Sequence, residues 1–140
     1  MTSFQTLAVG YDDSPDARAA LRWALRLAKE VDAEVMVVHA TGLLEHAREE
    51  GVAQSLTATV RRLAHEVGID PERVRLNISP GDPCSVLHRA TQSPIDADML
   101  VVGTRGEGAR SGYLLGSTSL ELAEHATVPL VIVPWHQEEQ

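Results

Sequence analysis

Leu7-Ala8-Val9-Gly10-Tyr11-Asp12-Asp13-Ser14-Pro15 is a short apolar run that stops at a glycine and passes into a polar loop. Beyond it Ala17, Leu21, Ala24, Ala28 and Val31 recur at helical spacing, so the stretch reads as strand, loop, helix. The end of the loop has the chemistry of a helix start. The Ser14 hydroxyl can accept one of the unpaired first-turn amides, Pro15 tolerates the first helical position, and Asp16 faces the positive end of the helix dipole.

The same alternation continues downstream. Glu34 to Ala40 is apolar almost throughout, which is expected of a parallel strand buried on both faces between helix layers. A second helix carries Val52, Leu56, Val60, Leu63 and Val67 on one face and ends at Gly68. Arg73 to Ser79 alternates Val74, Leu76 and Ile78 with polar neighbours and reads as an edge strand. Pro80-Gly81-Asp82-Pro83 turns the chain, with Asp82 capping a third helix through Ala90. Met99 to Val102 forms a fourth strand, Leu120 to Ala126 belongs to a fourth helix, and Leu130 to Val133 is a fifth strand. Five strands alternating with four helices specify an α/β domain: an open, five-stranded parallel sheet with right-handed crossovers and helices on both faces. One such domain occupies residues 1–140, with no internal repeat or boundary.

Composition narrows the function. Twelve basic residues against 20 acidic ones give a formal charge of -8, and no basic stripe reverses it, so binding nucleic acid through its phosphates is not expected. No run has the length of a membrane span, and Met1 to Tyr11 lacks the pattern of a signal peptide. Together with the lone Cys84, which excludes an internal disulfide, this points to the cytoplasm.

The segment from Gly103 to Ser119 is the unusual one, holding five glycines and three serines in seventeen residues. Glycine loses the most backbone entropy on ordering, and a short loop suffices to join a strand to a helix. A backbone that must approach a ligand closely would justify the composition. Gly116-Ser117-Thr118-Ser119 stands just before an apolar helix, where free amides and the dipole favour an anion such as phosphate. Two common phosphate loops are excluded by spacing. A P-loop needs a lysine before its Ser or Thr, and the only lysine is Lys29; the dinucleotide fingerprint fails because Gly112 falls one residue too late after Gly106 and Gly108.

The spacing G-x2-G-x9-G-[ST] is met by Gly103, Gly106, Gly116 and Ser117. With the opening strand and loop, Val37-Val38-His39-Ala40, Gly81-Asp82-Pro83 and Val128 to Pro134, it resembles the universal stress protein family of the ATP-binding type. The resemblance implies a Rossmann-like sheet in the order 3-2-1-4-5, whose order reverses between the first and fourth strands. Ligands of open α/β sheets bind outside the strands' carboxyl ends at such a point. Carried over by position, it implies an adenine pocket at Gly10, Tyr11 and Ala40, with Asp12 accepting a hydrogen bond from ribose or base. Val102 and Gly103 would floor the site, Arg105 and Gly106 would bracket the phosphates, and Gly116, Ser117, Thr118 and Ser119 would hold them. ATP with Mg2+ is the implied cofactor, and a homodimer through strand 129–134 the implied assembly, since an apolar edge strand needs a partner. Cyclic AMP, or a stress protein working through protein contacts without nucleotide, are the alternatives. Asp13 departs from the family's usual glycine, which puts a charge near the phosphate entrance.

Simpler roles stand beside these. Ser14 is explained by capping alone, Thr118 and Glu121 form a T-x-x-E capping box, Cys84 reads as a small buried thiol, and His39 as structural. Apart from the adjacent carboxylates Asp12 and Asp13, no Ser-His-Asp, Cys-His or paired-carboxylate arrangement can be assembled in the crevice. The family resemblance implies nucleotide binding with at most slow ATP hydrolysis, so a regulatory binding protein is expected rather than an enzyme.

Overall fold

The computed structural model describes residues 5–41, 49–104 and 116–134. The chain runs β1 (Thr6–Gly10), α1 (Pro15–Val31), β2 (Glu34–Thr41), α2 (Glu49–Val67), β3 (Val74–Pro80), α3 (Pro83–Ala90), β4 (Met99–Gly103), α4 (Ser117–His125) and β5 (Leu130–Val133), with one 3-10 turn at Pro71–Arg73. The five strands form one sheet in the order β3-β2-β1-β4-β5, all pairs parallel. β3, the strand of alternating pattern, takes an edge.

Strand residues divide between two apolar layers by parity, as side chains that alternate across a strand must. Leu7, Val9, Val35, Val37 and Val101 pack with Leu21, Leu25, Leu56 and Leu63 of α1 and α2. Ala8, Val38, Leu100 and Val102 pack with Val86, Leu87 and Leu122 of α3 and α4. The start of β1 is tied on both sides: Asp98 Oδ2 accepts from the Gln5 and Thr6 amides at 2.9 and 3.0 Å, and the Glu34 amide donates to the Gln5 carbonyl.

The helix starts follow their sequences with one correction. Ser14 accepts from the Ala17 amide at 3.1 Å, and Asp82 accepts from the Ser85 amide at 3.0 Å. α4, however, begins three residues earlier than its apolar pattern suggests, with Gly116 as N-cap and no side-chain cap. Thr118 therefore lies inside the first turn, and the expected capping box with Glu121 does not form. The cause is tertiary: the Gly116 amide donates to the Thr104 carbonyl at 2.6 Å, and Ser119 Oγ donates to the Gly103 carbonyl at 2.8 Å. The end of β4 sets where the helix starts.

Candidate functional site

The sheet order reverses between β1 and β4, whose chain continuations leave in opposite directions and open a crevice at their carboxyl ends. A cleft open to solvent lies there. Its walls are mainly apolar. Gly10, Tyr11 and Asp12 come from β1 and its loop, Val38 and Ala40 from β2, and Val102 and Gly103 from β4. The N-terminal ends of three helices complete it: Ser14 and Ala17 at α1, Pro83 and, one turn on, Leu87 at α3, Thr118 and Ser119 at α4. Three positive dipole ends thus converge on one cleft.

The glycines of the floor are explained by space. A Cβ on Gly103 would lie 2.7 Å from both the Cβ and the carbonyl oxygen of Asp16, so β4 and the head of α1 touch through backbone. A Cβ on Gly10 would lie 2.9 Å from Leu87 Cδ1 and 3.2 Å from Val102 Cγ1.

Asp12 is the one charged side chain among the described residues of the wall. Its Oδ1 accepts from the Ser14 hydroxyl at 2.6 Å and the Ser14 amide at 3.1 Å, closing an Asx turn that shapes the loop. Asp13 adopts φ 62°, a left-handed conformation in which glycine is at ease and Asp is tolerated. Its carboxylate is half exposed, accepts from the Tyr11 hydroxyl at 2.9 Å and pairs with Arg18 at 3.0 Å, and it is not part of the cleft wall. Burial first, and the Asp13 carboxylate second, push the Tyr11 phenol well above its ordinary range. His39 Nδ1 meets the Tyr11 carbonyl at 2.7 Å, a structural bond that joins β2 to the loop.

Eight of the residues singled out from the sequence meet in this cleft: Gly10, Tyr11, Asp12, Ala40, Val102, Gly103, Thr118 and Ser119. Gly116 and Ser117 precede them at the head of α4, off the wall, and Arg105 and Gly106 lie outside the described residues. Sequence reasoning passed over Val38, Ala17, Pro83 and Leu87, whose apolar character signalled only core, and it missed Asp16. That carboxylate is 6% exposed and accepts from Thr104 Oγ1 at 2.6 Å, binding α1 to the end of β4. Cys84 is buried, and burial followed by Glu121 pushes its thiol pKa up, which disfavours the thiolate. Among the described residues no three His, Cys, Asp or Glu side chains are grouped to hold a metal, and no helix is long and apolar enough to cross a membrane.

The model of the Universal stress protein family matches residues 3–134. The chain belongs to this family. Universal stress protein Rv2623 of Mycobacterium tuberculosis is 34% identical over 144 residues, an alignment covering 95% of this chain and 48% of that protein. The chain thus spans about half the length of that curated relative. Among solved universal stress proteins, one in complex with cAMP superposes with a TM-score of 0.76 at 23% identity, covering 96% of this chain and all of the other. A family member from Arabidopsis thaliana with AMP bound superposes with a TM-score of 0.66 at 22% identity, covering 96% and 94% of the two chains. At such identities the likeness shows a shared universal stress protein fold.

Proposed function

We propose that this universal stress protein binds an adenine nucleotide in the cleft at the β1–β4 switch point and acts as a regulatory binding protein. The observation that carries the reading is the convergence of three helix N-termini on a mainly apolar cleft floored by Gly10 and Gly103. An apolar slot suits a flat base, and helix N-termini suit its phosphates without requiring net positive charge, which a chain of charge -8 lacks. Gly10, Tyr11, Ala40 and Val102 then contact the base, Asp12 the ribose or base, and Gly103, Gly116, Ser117, Thr118 and Ser119 the phosphate side; the family resemblance adds Arg105 and Gly106 to the phosphate contacts.

ATP is the first ligand to test. With Asp12 as the single described carboxylate in the wall, Mg2+ would arrive on the nucleotide's phosphates rather than in a protein-built site. A solved universal stress protein in complex with cAMP makes cyclic AMP the second candidate. The family resemblance extends the proposal to a homodimer through strand 129–134.

Isothermal titration of folded protein with Mg-ATP, AMP and cAMP, beside native mass spectrometry, tests these readings together. Heat on titration and competition between the ligands is the expected result; no heat with any adenine nucleotide refutes the proposal. A purely monomeric mass refutes the dimer separately.

A further inference from the structure

Four cations line the seam between α1 and α2 on the solvent side. Arg22, Arg26 and Lys29 follow one another along α1 at helical spacing, and Arg62 stands one turn before Glu66 on α2. Arg26, Lys29 and Arg62 are exposed. The row is tied to α2 at two points: Arg22 Nε donates to Glu66 Oε2 at 2.8 Å, and Lys29 Nζ donates to the Val67 carbonyl at 3.2 Å. The Arg22 hydrogen bond first, and then the charges of Arg22, Arg26 and Arg62, hold the Glu66 carboxyl below its usual range against the opposing effect of burial. Glu30, next to Lys29, is the other carboxylate of the α1 row, so the seam keeps a positive excess on a chain whose net charge is -8.

A charge row on a helix is ordinarily a solvated face. This one has apolar ground beside it: Trp23 and Leu27, one turn apart on α1, are partly buried against the core, and Val31, one turn further, is 43% exposed. Trp and Arg are the side chains enriched at the energetic centres of protein interfaces. We propose that the outer face of α1, with Arg62 and Glu66 of α2, is a docking surface for an acidic, partly apolar segment of a partner protein, whose carboxylates pair with Arg22, Arg26 and Arg62 while its apolar side chains cover Trp23, Leu27 and Val31. The charge complementarity is already exercised within the chain, because Glu66 is a carboxylate received by this cluster, and its half-exposed side chain can give way to an incoming one. A nucleic-acid duplex or an anionic bilayer presents its charge to the whole molecule and is repelled at -8, whereas a short segment meets the local row. None of these residues belongs to the cleft wall, so docking needs no nucleotide.

Fluorescence anisotropy of the intact chain with a fluorescein-labelled peptide of Glu, Asp and Leu, against its Gln, Asn and Leu counterpart, tests this without nucleotide. The acidic peptide should bind more tightly than the neutral one, and the preference should fade as salt rises from about 0.01 M to about 1 M, where the Debye length falls from about 30 Å to about 3 Å. Arg26→Gln combined with Arg62→Gln keeps the Arg22–Glu66 bond and should weaken binding about 3- to 10-fold, mainly through slower association. Glu66→Gln removes the internal competitor for Arg22 and should tighten binding about 3-fold, with folding retained because an ion pair this exposed adds little stability. Glu124→Gln makes the same change of net charge at an exposed position of α4 and should leave binding unchanged. Equal binding of the two peptides, or equal effects of Glu66→Gln and Glu124→Gln, overturns the proposal.

Trp23 reports the place of contact. The chain has two tryptophans, so in a Trp135→Phe background the emission is that of Trp23, and it should shift as unlabelled acidic peptide covers the ring. Bound peptide with unmoved emission puts the contact elsewhere and overturns the proposal. Tighter binding to vesicles of phosphatidylserine and phosphatidylcholine, lost with Arg26→Gln and Arg62→Gln, overturns it in favour of a lipid surface. A salt-sensitive doubling of mass lost in the same variants overturns it in favour of a second copy of this chain.

Discussion

Gly103→Ala puts the packing of the site to a quantitative test. The added Cβ would fall 2.7 Å from the Asp16 Cβ, 2.7 Å from its carbonyl oxygen and 2.8 Å from its carbonyl carbon, where ordinary contact begins at 3.4 Å. Relief requires a movement of about 0.7 Å, and two of the three obstructing atoms are backbone of α1, which no rotamer change can withdraw. Overpacking of this kind costs about 1–3 kcal/mol, and the rigid neighbours place this case at about 2–3. For a chain of this length that corresponds to a fall in Tm of about 6–10 °C. The same movement separates Thr104 Oγ1 from Asp16 Oδ2. Urea unfolding followed by circular dichroism, with an unchanged m value, measures the loss. Gly51→Ala is the matched control: near the start of α2, with nothing within 4 Å of the new Cβ, it should be neutral or gain up to about 1 kcal/mol. If Gly103→Ala unfolds at the parental midpoint, the close approach of β4 to α1 is not a constraint and the account of the cleft floor fails.

Three further outcomes follow from the same structure. Leu63→Ala, at a fully buried position of α2, should lower stability by about 2–5 kcal/mol in the same urea experiment. The Ser85 amide holds the Asp82 carboxyl below its usual 3.8, so its contribution is present above about pH 4 and lost as pH falls through the lower folded value; an acid titration of Asp82→Ala by thermal melting should lack that increment. Tyr11 has the opposite sign: its raised phenol stabilises the fold below about pH 10 and loses that contribution above it, so Tyr11→Phe should flatten the alkaline limb of a stability–pH curve.

What could be read before the structure, and what could not, divides along the range of the interactions. The strand at Leu7–Val9, the cap at Ser14 and the cap at Asp82 are decided by neighbours within three residues, and each lies where its local chemistry requires. The reversal of sheet order comes from topology that the family resemblance supplied. Thr118 and Glu121 are spaced for mutual capping, but the Thr104 and Gly103 carbonyls, brought up by β4, take the Gly116 amide and the Ser119 hydroxyl and start the helix sooner. Asp16 carries an ordinary first-turn signal; its bond to Thr104 spans 88 positions and leaves no local trace. The apolar wall at Val38, Pro83 and Leu87 is hidden for the same reason, since a Leu or Val facing a cleft reads no differently from one facing the core. Asp13 shows the reverse case. In the sequence it is a charge near the phosphate entrance, suited either to helping hold a metal ion or to weakening ATP binding, yet the left-handed loop directs it to Tyr11 and Arg18.

The direction of the strands also decides how the protein can be handled. Thr6 opens β1 at the end of the sheet opposite the cleft, clamped there by Asp98, whereas Val133 closes β5 in register with Gly103 of the cleft floor. Attachment on the amino-terminal side of β1 therefore begins at the end of the sheet away from the mouth, whereas attachment beyond β5 begins level with the floor, so sensor chips and fluorescent fusions for ligand measurements belong on the amino-terminal side.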